Sequence, residues 1–396
     1  MRHAPIGLYI HVPFCTVKCA YCDFNSYAGI EDLRDAWEQA AKRELQLWSE
    51  RLAGRELSTV FLGGGTPSLL EGAAIQRILD TVRREYRLSA DAEISLEANP
   101  ESVEPERLAA YREAGVNRIS MGVQSLNSSE LVFLDRLHSA ERARAAFEQV
   151  RAAGFHNVNL DLIYGLPQQS FDTWRESVEG VLNWGPDGSG PDHLSCYALT
   201  VEEGTPLAAR VASGAVVETD PDDVAELADW TATRLVAAGY EQYEISNYAR
   251  RGLTCGHNLL YWRNQEYLAV GPGAHGFVDG VRYSVVRSPR VYIQRLRGES
   301  DGAFGLPSAA IDAAERVTEF DSVVDSLTSG LRLSEGVEEQ ALAHAYPEAY
   351  ESVSPVLDWA VASKLASRSA GRLTLTARGR AVANEIFVRL FDPALR

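Results

Sequence analysis

The chain has 396 residues, of which 45% are hydrophobic and 23% charged, the balance of an ordinary globular protein. Its formal net charge of −17 argues against a phosphate backbone as partner, so we expect no nucleic-acid binding. No apolar run reaches the roughly 20 residues that span a bilayer, and residues 1–5 lack a signal-peptide pattern. We therefore expect a cytoplasmic protein that is not integral to a membrane.

Short β-rich runs alternate with amphipathic helical stretches over residues 1–240. The predicted strands are 7–11, 59–62, 93–97, 118–122, 157–162 and 193–199. The predicted helices are 32–52, 73–86, 105–114, 140–153, 171–182 and 223–238. This alternation indicates βαβ units around a parallel sheet, either an incomplete βα barrel or an open α/β sheet.

The remaining third of the chain has a different pattern. One more strand is predicted at 240–249, and residues 252–280 are rich in glycine and aromatic residues with little periodicity. From about residue 311 the pattern is helical, with a short hairpin at 373–376 and a last helix at 380–390. We expect a small helical, winged-helix-like domain here, and the acidic chain favours packing or partner docking over DNA binding.

Residues suited to chemistry follow the predicted strands at the points where the strands end. A cysteine loop follows the first strand, and Gly63-Gly64-Gly65 follow the second. Glu97 ends the third strand, Gln124 follows the fourth and Asp161 ends the fifth. The carboxyl ends of parallel strands meet at one edge, where α/β proteins form their sites. The sequence therefore predicts one binding site built from these residues.

Three of the five cysteines, Cys15, Cys19 and Cys22, lie in one short loop. The odd number and the clustering argue against a disulfide framework. Thiolates are the ligands of iron–sulfur clusters, and three of them would leave the fourth iron of a cubane open. The alternative is a zinc site with His11 as the fourth ligand, because zinc binds Cys3His sets. Cys196, inside a predicted strand, is expected to be a buried core thiol.

The spacing of the three cysteines, with Tyr21 just before the third, resembles the CxxxCxxC loop of radical S-adenosylmethionine enzymes. The resemblance implies a partial (βα)6 barrel and a [4Fe–4S] cluster on Cys15, Cys19 and Cys22. It also implies that the amine and carboxylate of S-adenosylmethionine chelate the open iron. In that superfamily an electron from the cluster cleaves the sulfonium to a 5′-deoxyadenosyl radical.

Longer motifs resemble one branch of the superfamily, the oxygen-independent coproporphyrinogen III oxidases and the related heme chaperones. The resemblance covers nearly the whole chain and rests on residues 9–15, 63–67, 97–100, 118–124 and 159–167. The residues that it assigns to S-adenosylmethionine are Tyr9, Tyr21, Gly64, Gly65, Thr66, Glu97, Gln124, Arg136, Asp161 and Ala198.

Three features favour the chaperones over the oxidases. The oxidase loop resembles CxxxCxxCxC, whereas Phe24 stands at the position of the further cysteine here. Only eight residues precede Tyr9, where the oxidases carry a longer segment. Residues 257–262 match the HNxxYW motif associated with heme binding, which implies His257 as an axial ligand of heme iron. Without the family, His257 is more simply a hydrogen-bonded histidine in an aromatic core.

The leading hypothesis is a heme chaperone that carries the cluster and S-adenosylmethionine, binds heme and passes it to an acceptor, for which a membrane respiratory protein is one candidate. The alternative is a coproporphyrinogen III oxidase of porphyrin biosynthesis, and the third hypothesis is a zinc-stabilised scaffold. His275 is a further pocket candidate, and Cys255 a candidate for heme attachment. The predicted domains are a radical S-adenosylmethionine core at 1–240, an extension with the heme motif at 241–310 and a helical domain at 311–396.

Overall fold

Six parallel strands that follow one another in chain order form the centre of the fold. The computed structural model describes residues 5–185, 188–298 and 301–395, so residues 1–4, which entered the signal-peptide prediction, lie outside the described part. The strands are β1 Ile6–Val12, β2 Glu56–Gly64, β3 Arg87–Ala98, β4 Arg118–Gln124, β5 Val158–Tyr164, β6 His193–Ala198, β7 Glu241–Gln242, β8 Asn247–Ala249, β9 Tyr267–Val270, β10 His275–Val278, β11 Val281–Val285, β12 Ile311–Arg316, β13 Val337–Glu338, β14 Ala366–Ser369 and β15 Arg372–Leu375. The helices are α1 Arg34–Ser49, α2 Gly72–Glu85, α3 Pro105–Ala114, α4 Ser128–Phe133, α5 Ala140–Ala152, α6 Phe171–Leu182, α7 Pro206–Ala212, α8 Pro221–Ala237, α9 Gly256–Trp262, α10 Pro289–Leu296, α11 Glu319–Gly330, α12 Glu339–Ala345, α13 Pro347–Ala362, α14 Ala377–Ala381 and α15 Ala383–Leu390.

One twelve-stranded sheet has the order β12-β11-β10-β9-β1-β2-β3-β4-β5-β6-β8-β7. Strands β1 to β6 are parallel, and β9 lies parallel to β1 on the other side. The strands further out, β10 to β12 at one edge and β7 and β8 at the other, are antiparallel. Because consecutive parallel strands need helical crossovers, the order confirms the α/β class and the six-stranded arrangement of a partial barrel.

Local signals account for the helices whose bounds were predicted without error. Helix α3 begins with Pro105, whose fixed φ suits the first turn. It ends at Gly115, which takes a φ of 100° and donates its N–H to the last turn. Helix α6 begins with a capping box in which the side chains of Ser170 and Thr173 each accept the other's backbone N–H.

The second half of the chain departs from the prediction in three places. Residues 240–249 form a hairpin of two short strands, β7 and β8, and not one strand. The segment 252–280, which lacks a clear period, contains α9, β9 and β10. Residues 311–316 form the edge strand β12, so the helical region begins only at α11. Pairing with β11 decides this last case, because the side chains of β12 are mostly exposed and show little alternation.

A buried carboxylate joins the barrel to the strands and helix that follow it. Glu44 of α1 accepts hydrogen bonds from the Gly271 N–H at 2.9 Å, the Tyr292 hydroxyl at 2.8 Å and the Ser308 hydroxyl at 2.6 Å. Burial raises the pKa of Glu44, and the three donors oppose that rise. The three hydrogen bonds tie Gly271, Tyr292 and Ser308 to helix α1 of the barrel.

The C-terminal region has a hydrophobic core of its own. Helices α11, α13 and α15 pack around side chains such as Leu327, Leu357 and Ile386. A three-stranded antiparallel sheet with the order β13-β15-β14 forms the expected wing beside these helices. Within the described residues, none of the helices is both long and apolar enough to cross a membrane.

Candidate functional site

A cavity of about 550 Å³ lies inside the ring of parallel strands. Side chains of a strand point alternately to its two faces, so every second residue of a strand faces this cavity. The lining residues from β4, β5 and β6 are Arg118, Ser120, Gly122, Gln124, Asn159, Asp161, Ile163, His193, Ser195 and Tyr197. The cysteine loop lies at the carboxyl ends of the strands. We use the term cavity floor for the lining residues near the amino ends, Arg118, Ser120, Asn159, His193 and Ser195.

The cysteine loop is closed at its base by backbone hydrogen bonds. The Cys15 N–H donates to the Tyr27 carbonyl at 2.9 Å, and the Tyr27 N–H donates to the Pro13 carbonyl at 2.8 Å. Between these anchors the Cys22 N–H donates to the Cys19 carbonyl at 3.1 Å. All three cysteines are free thiols that line the cavity, as the motif predicts.

The charge around the thiols suits metal ligation. Burial raises the pKa of Cys19 and Cys22, while the guanidinium of Arg136, whose Nη1 lies 3.9 Å from the Cys19 Sγ, favours the thiolate. Among the residues that the structure describes, no three His, Cys, Asp or Glu side chains converge enough to hold a single metal ion. Three thiols of one loop match the three cysteine ligands of a [4Fe–4S] cluster with one open iron.

His11 does not fit the fourth position of a zinc site. Its Nδ1 is hydrogen-bonded to the Tyr9 hydroxyl at 3.0 Å, and its Nε2 donates to the Asn25 carbonyl at 3.0 Å. Burial lowers the pKa of His11 to about 4, so the ring is neutral and buried in this network. Both ring nitrogens are therefore occupied within the protein.

At the end of β2, the glycine segment Gly63-Gly64-Gly65 places its backbone against the cavity. Gly64 has a φ of 109°, and a Cβ on it would lie 2.4 Å from the Cε1 atom of His11. A Cβ on Gly65 would lie 2.6 Å from the Phe14 carbonyl oxygen. Thr66 follows, with its Oγ1 3.5 Å from the Cys15 Sγ and hydrogen-bonded to Asn99 at 3.0 Å. Only glycine allows this approach of the β2 end to the cysteine loop.

Two carboxylates face the cavity, Glu97 near the end of β3 and Asp161 in the middle of β5, although the sequence predicts Asp161 at a strand end. The Gly64 N–H donates to the Glu97 Oε2 at 2.9 Å. Burial and the nearby charge of Asp161 raise the pKa of Glu97 to about 7. Asp161 accepts from the Asn159 Nδ2 at 2.7 Å, and burial raises its pKa also. Both groups are positioned to accept hydrogen bonds from hydroxyl or ammonium groups of a ligand.

Gln124 and Arg136 present polar atoms without protein partners. Gln124 has a φ of 67°, which is unusual for a residue other than glycine, and its buried Oε1 accepts no hydrogen bond. The Arg136 Nη2 donates to the Asn99 Oδ1 at 2.6 Å and to the Gly122 carbonyl at 2.8 Å, but its Nε is buried without an acceptor. Strained backbone and unpaired polar atoms in one cavity indicate a site for a polar ligand.

The first residue of the HNxxYW motif lies at the opposite side of the same cavity. His257 is only 1% exposed and stacks on Phe61 with ring centroids 5.2 Å apart. Its Nδ1 is hydrogen-bonded to the Thr59 hydroxyl at 2.7 Å, and its Nε2 to the Tyr261 hydroxyl at 2.8 Å. Burial lowers the pKa of His257 to about 3, so the ring is neutral. Trp262 lies near the C-terminal region, with the Arg332 guanidinium 5.7 Å from its ring.

The structure brings nearly all of the predicted site residues to one cavity. Of those assigned to the cluster, S-adenosylmethionine or heme, only Ala198 is absent from the lining, and its neighbour Tyr197 faces the cavity instead. His275 is exposed and lines an adjoining cavity of about 560 Å³. Cys196 is buried as expected, and the Cys255 thiol lies 3.5 Å from a Glu93 carboxylate oxygen.

Sequence reasoning missed the polar residues of the cavity floor. Asn159 is their centre, since its Nδ2 donates to Ser120 at 2.8 Å and its Oδ1 lies 2.6 Å from the His193 Nδ1. The Ser195 hydroxyl donates to the same Oδ1 at 3.1 Å. The signal was available in β4 to β6, where polar residues recur at every second position of strands that are otherwise apolar.

Comparisons with known proteins identify the family of this chain. A family model described as the radical SAM superfamily matches residues 9–180. The heme chaperone HemW of Mycobacterium tuberculosis is 40% identical over 391 residues, which cover 98% of this chain and 95% of that protein. HemW of Escherichia coli is 38% identical and covers 96% of this chain and 97% of its own length.

The solved structure of coproporphyrinogen III oxidase, HemN, from Escherichia coli shares the fold with a TM-score of 0.82. The match covers 99% of this chain and 91% of that one at 22% identity. The fold is therefore that of a radical S-adenosylmethionine protein with an appended C-terminal region. With relatives of 38–40% identity along almost its full length, the chain belongs to the HemW family of radical S-adenosylmethionine proteins.

Proposed function

We propose that this chain is a heme chaperone that binds a [4Fe–4S] cluster and S-adenosylmethionine and passes heme to an acceptor protein. The observation that carries the proposal is a single cavity that has the three-cysteine loop on one side and the HNxxYW histidine on the other. Relatives named heme chaperone HemW share this chain's full length, which supports the same role here. A membrane respiratory protein is one candidate acceptor.

Cys15, Cys19 and Cys22 would hold the cluster, which when bound supplies one electron and an open iron for S-adenosylmethionine. Backbone groups of Gly64 and Gly65 lie beside the thiols, where no side chain obstructs a ligand. The remaining residues of this chain would orient the nucleoside and methionine parts. Ionised Glu97 and Asp161 accept from hydroxyl and ammonium groups, and the unpaired atoms of Gln124 and Arg136 complete the polar contacts.

His257 is in the protonation state that metal ligation needs, because a neutral imidazole can offer a nitrogen lone pair to iron. Its Nε2 is hydrogen-bonded to the Tyr261 hydroxyl, so ligation through this nitrogen requires that bond to open. Removal of the Tyr261 hydroxyl would free Nε2 while leaving the aromatic ring in place. Tyr261→Phe should therefore retain heme ligation, whereas His257→Ala should lose it.

The test is anaerobic titration of heme into the reconstituted wild type and three variants, followed by absorption spectroscopy. His257→Ala should lose the shifted heme band, whereas Tyr261→Phe should keep it, because only the former removes the ligand. His156→Ala is the matched control, since His156 is exposed and distant from the cavity lining. Wild-type spectra in His257→Ala would exclude this ligand, and absence of heme binding by the wild type would overturn the function.

The coproporphyrinogen III oxidase reaction is the second candidate, and the fold shared with HemN favours it. Against it stands Phe24, which is 59% exposed beside the cavity at the position where the resemblance places another cysteine. An anaerobic assay with reductant, S-adenosylmethionine and coproporphyrinogen III distinguishes the two. We expect no protoporphyrinogen from a chain with a full complement of iron and sulfide.

A further inference from the structure

Arg118 is a buried cation of the cavity floor without a protein partner. The residue is 2% exposed and lines the cavity, and its Nε is buried without an acceptor. Within the described residues, no carboxylate lies at ion-pair distance from its guanidinium, and no acceptor receives one of its N–H groups. Because a buried guanidinium with unfilled hydrogen-bond donors is unfavourable, a protein keeps one where a ligand supplies the acceptor.

Two carboxylates affect Arg118 electrostatically, but both are used by other groups. Glu93 accepts from the Gly256 N–H at 2.9 Å and the His257 N–H at 3.2 Å, so it caps helix α9. Asp161 accepts from the Asn159 Nδ2 at 2.7 Å. Burial alone would lower the pKa of Arg118, but the nearby Cys255, Glu93, Tyr243 and Asp161 raise it, and neither carboxylate lies within ion-pair distance. The guanidinium therefore remains able to bind an anion.

The other polar groups of the cavity floor beside Arg118 carry no charge. His193 has both ring nitrogens bonded, to Asn159 at 2.6 Å and to the Tyr243 hydroxyl at 2.9 Å, and burial lowers its pKa well below the usual range. Ser120 and Ser195 add hydroxyl groups to the same floor. One guanidinium among neutral donors matches a single negative charge, and its planar fork suits a carboxylate in particular.

The position of Arg118 separates it from the cluster side of the cavity. It is the first residue of β4, whereas Gln124 is the last, and seven residues of a strand extend about 20 Å. The cysteine loop follows the carboxyl end of β1, which is parallel to β2, β3 and β4. S-adenosylmethionine on the cluster would keep its own carboxylate on the iron, so Arg118 must receive a different one.

We propose that Arg118 is the binding residue of a carboxylate subsite on the cavity floor, distinct from the cluster. The inference rests on the proposed function, which supplies heme, whose propionates are carboxylates. Heme dimethyl ester, in which both propionates are esterified, tests the contact.

The test compares the reconstituted wild type with Arg118→Gln in calorimetric titrations of heme and heme dimethyl ester. Loss of one partner of a buried charge pair should weaken the binding of heme by about 30-fold or more. The ester, which has no free carboxylate, should bind wild type and Arg118→Gln equally.

Arg251→Gln is the matched control, because Arg251 is exposed and outside the cavity lining, and it should bind every ligand as the wild type does. Thermal melting checks that Arg118→Gln is folded, and if it is not, Arg118→Lys serves instead and should weaken the binding of heme but not of heme dimethyl ester. Equal heme affinities in wild type and a folded variant would overturn the inference and leave the proposed function standing. A wild type that binds no heme would overturn both.

Discussion

Replacement of Glu97 by glutamine removes a carboxyl group whose pKa burial raises from the usual 4.5 to about 7. Below pH 4.5 the group is protonated in the folded and the unfolded chain alike. Between pH 4.5 and 7 only the folded chain retains the proton, so the wild type loses stability as the pH rises through this window. A pKa shift of this size corresponds to about 3 kcal/mol of folding stability, and this contribution is fully lost above pH 7.

Urea unfolding of cofactor-free wild type and Glu97→Gln at pH 5 and pH 8 measures this loss. The free energy of unfolding should fall between the two pH values by about 2 to 3 kcal/mol more in the wild type than in the variant. Asp161, whose pKa is also raised, is present in both proteins, so the difference between their pH profiles reports Glu97 together with its coupling to Asp161. Parallel pH profiles would show that Glu97 ionises as an ordinary glutamate and would refute the reasoning.

Three further predictions test the framework of the site. Glu44→Ala should lower the free energy of unfolding by about 3 kcal/mol or more, measured in urea, because it leaves three buried donors unpaired, whereas Glu44→Gln should lose less. Gly64→Ala should lower the melting temperature far more than Gly29→Ala. Both glycines have positive φ, but only at position 64 would the added Cβ meet another side chain. Cys19→Ser should fail to retain iron after anaerobic reconstitution, and Cys196→Ser should retain it; equal iron contents would contradict the ligand assignment.

The alternation of strands and helices could be predicted from the sequence because each element has its own periodicity of apolar residues. Polar and apolar residues alternate along β4, and α3 and α6 carry Pro105, Gly115 and the Ser170 capping box at their ends. These are local signals, and in the first 240 residues they predicted the six parallel strands and six helices but not the short helices α4 and α7. The cysteine spacing and the polar residues at the strand ends likewise placed one face of the candidate site, since parallel strands bring their carboxyl ends together.

Elements at the edges of the sheet were harder to predict from the sequence. Their conformation depends on a neighbouring element and not on their own pattern of polar and apolar residues. Strand β12 exposes most of its side chains and forms only because β11 pairs with it. Helix α9 has seven residues in a glycine-rich segment, and its amino end is capped by Glu93, which is 163 residues away from Gly256. No window of the sequence contains both partners of such a contact.

The amino-acid sequence by itself determined the cysteine loop, the alternation of the six parallel strands with helices and the glycine segment beside them, because each depends on neighbouring residues. Only the tertiary structure decided which polar groups are satisfied by the protein and which remain for a ligand. His257 meets Thr59 across 198 residues, and its ring nitrogens are both bonded, while Arg118 faces the cavity without a partner. Hydrogen-bond satisfaction is a property of the whole fold, since donors and acceptors distant in the chain meet only when the barrel closes.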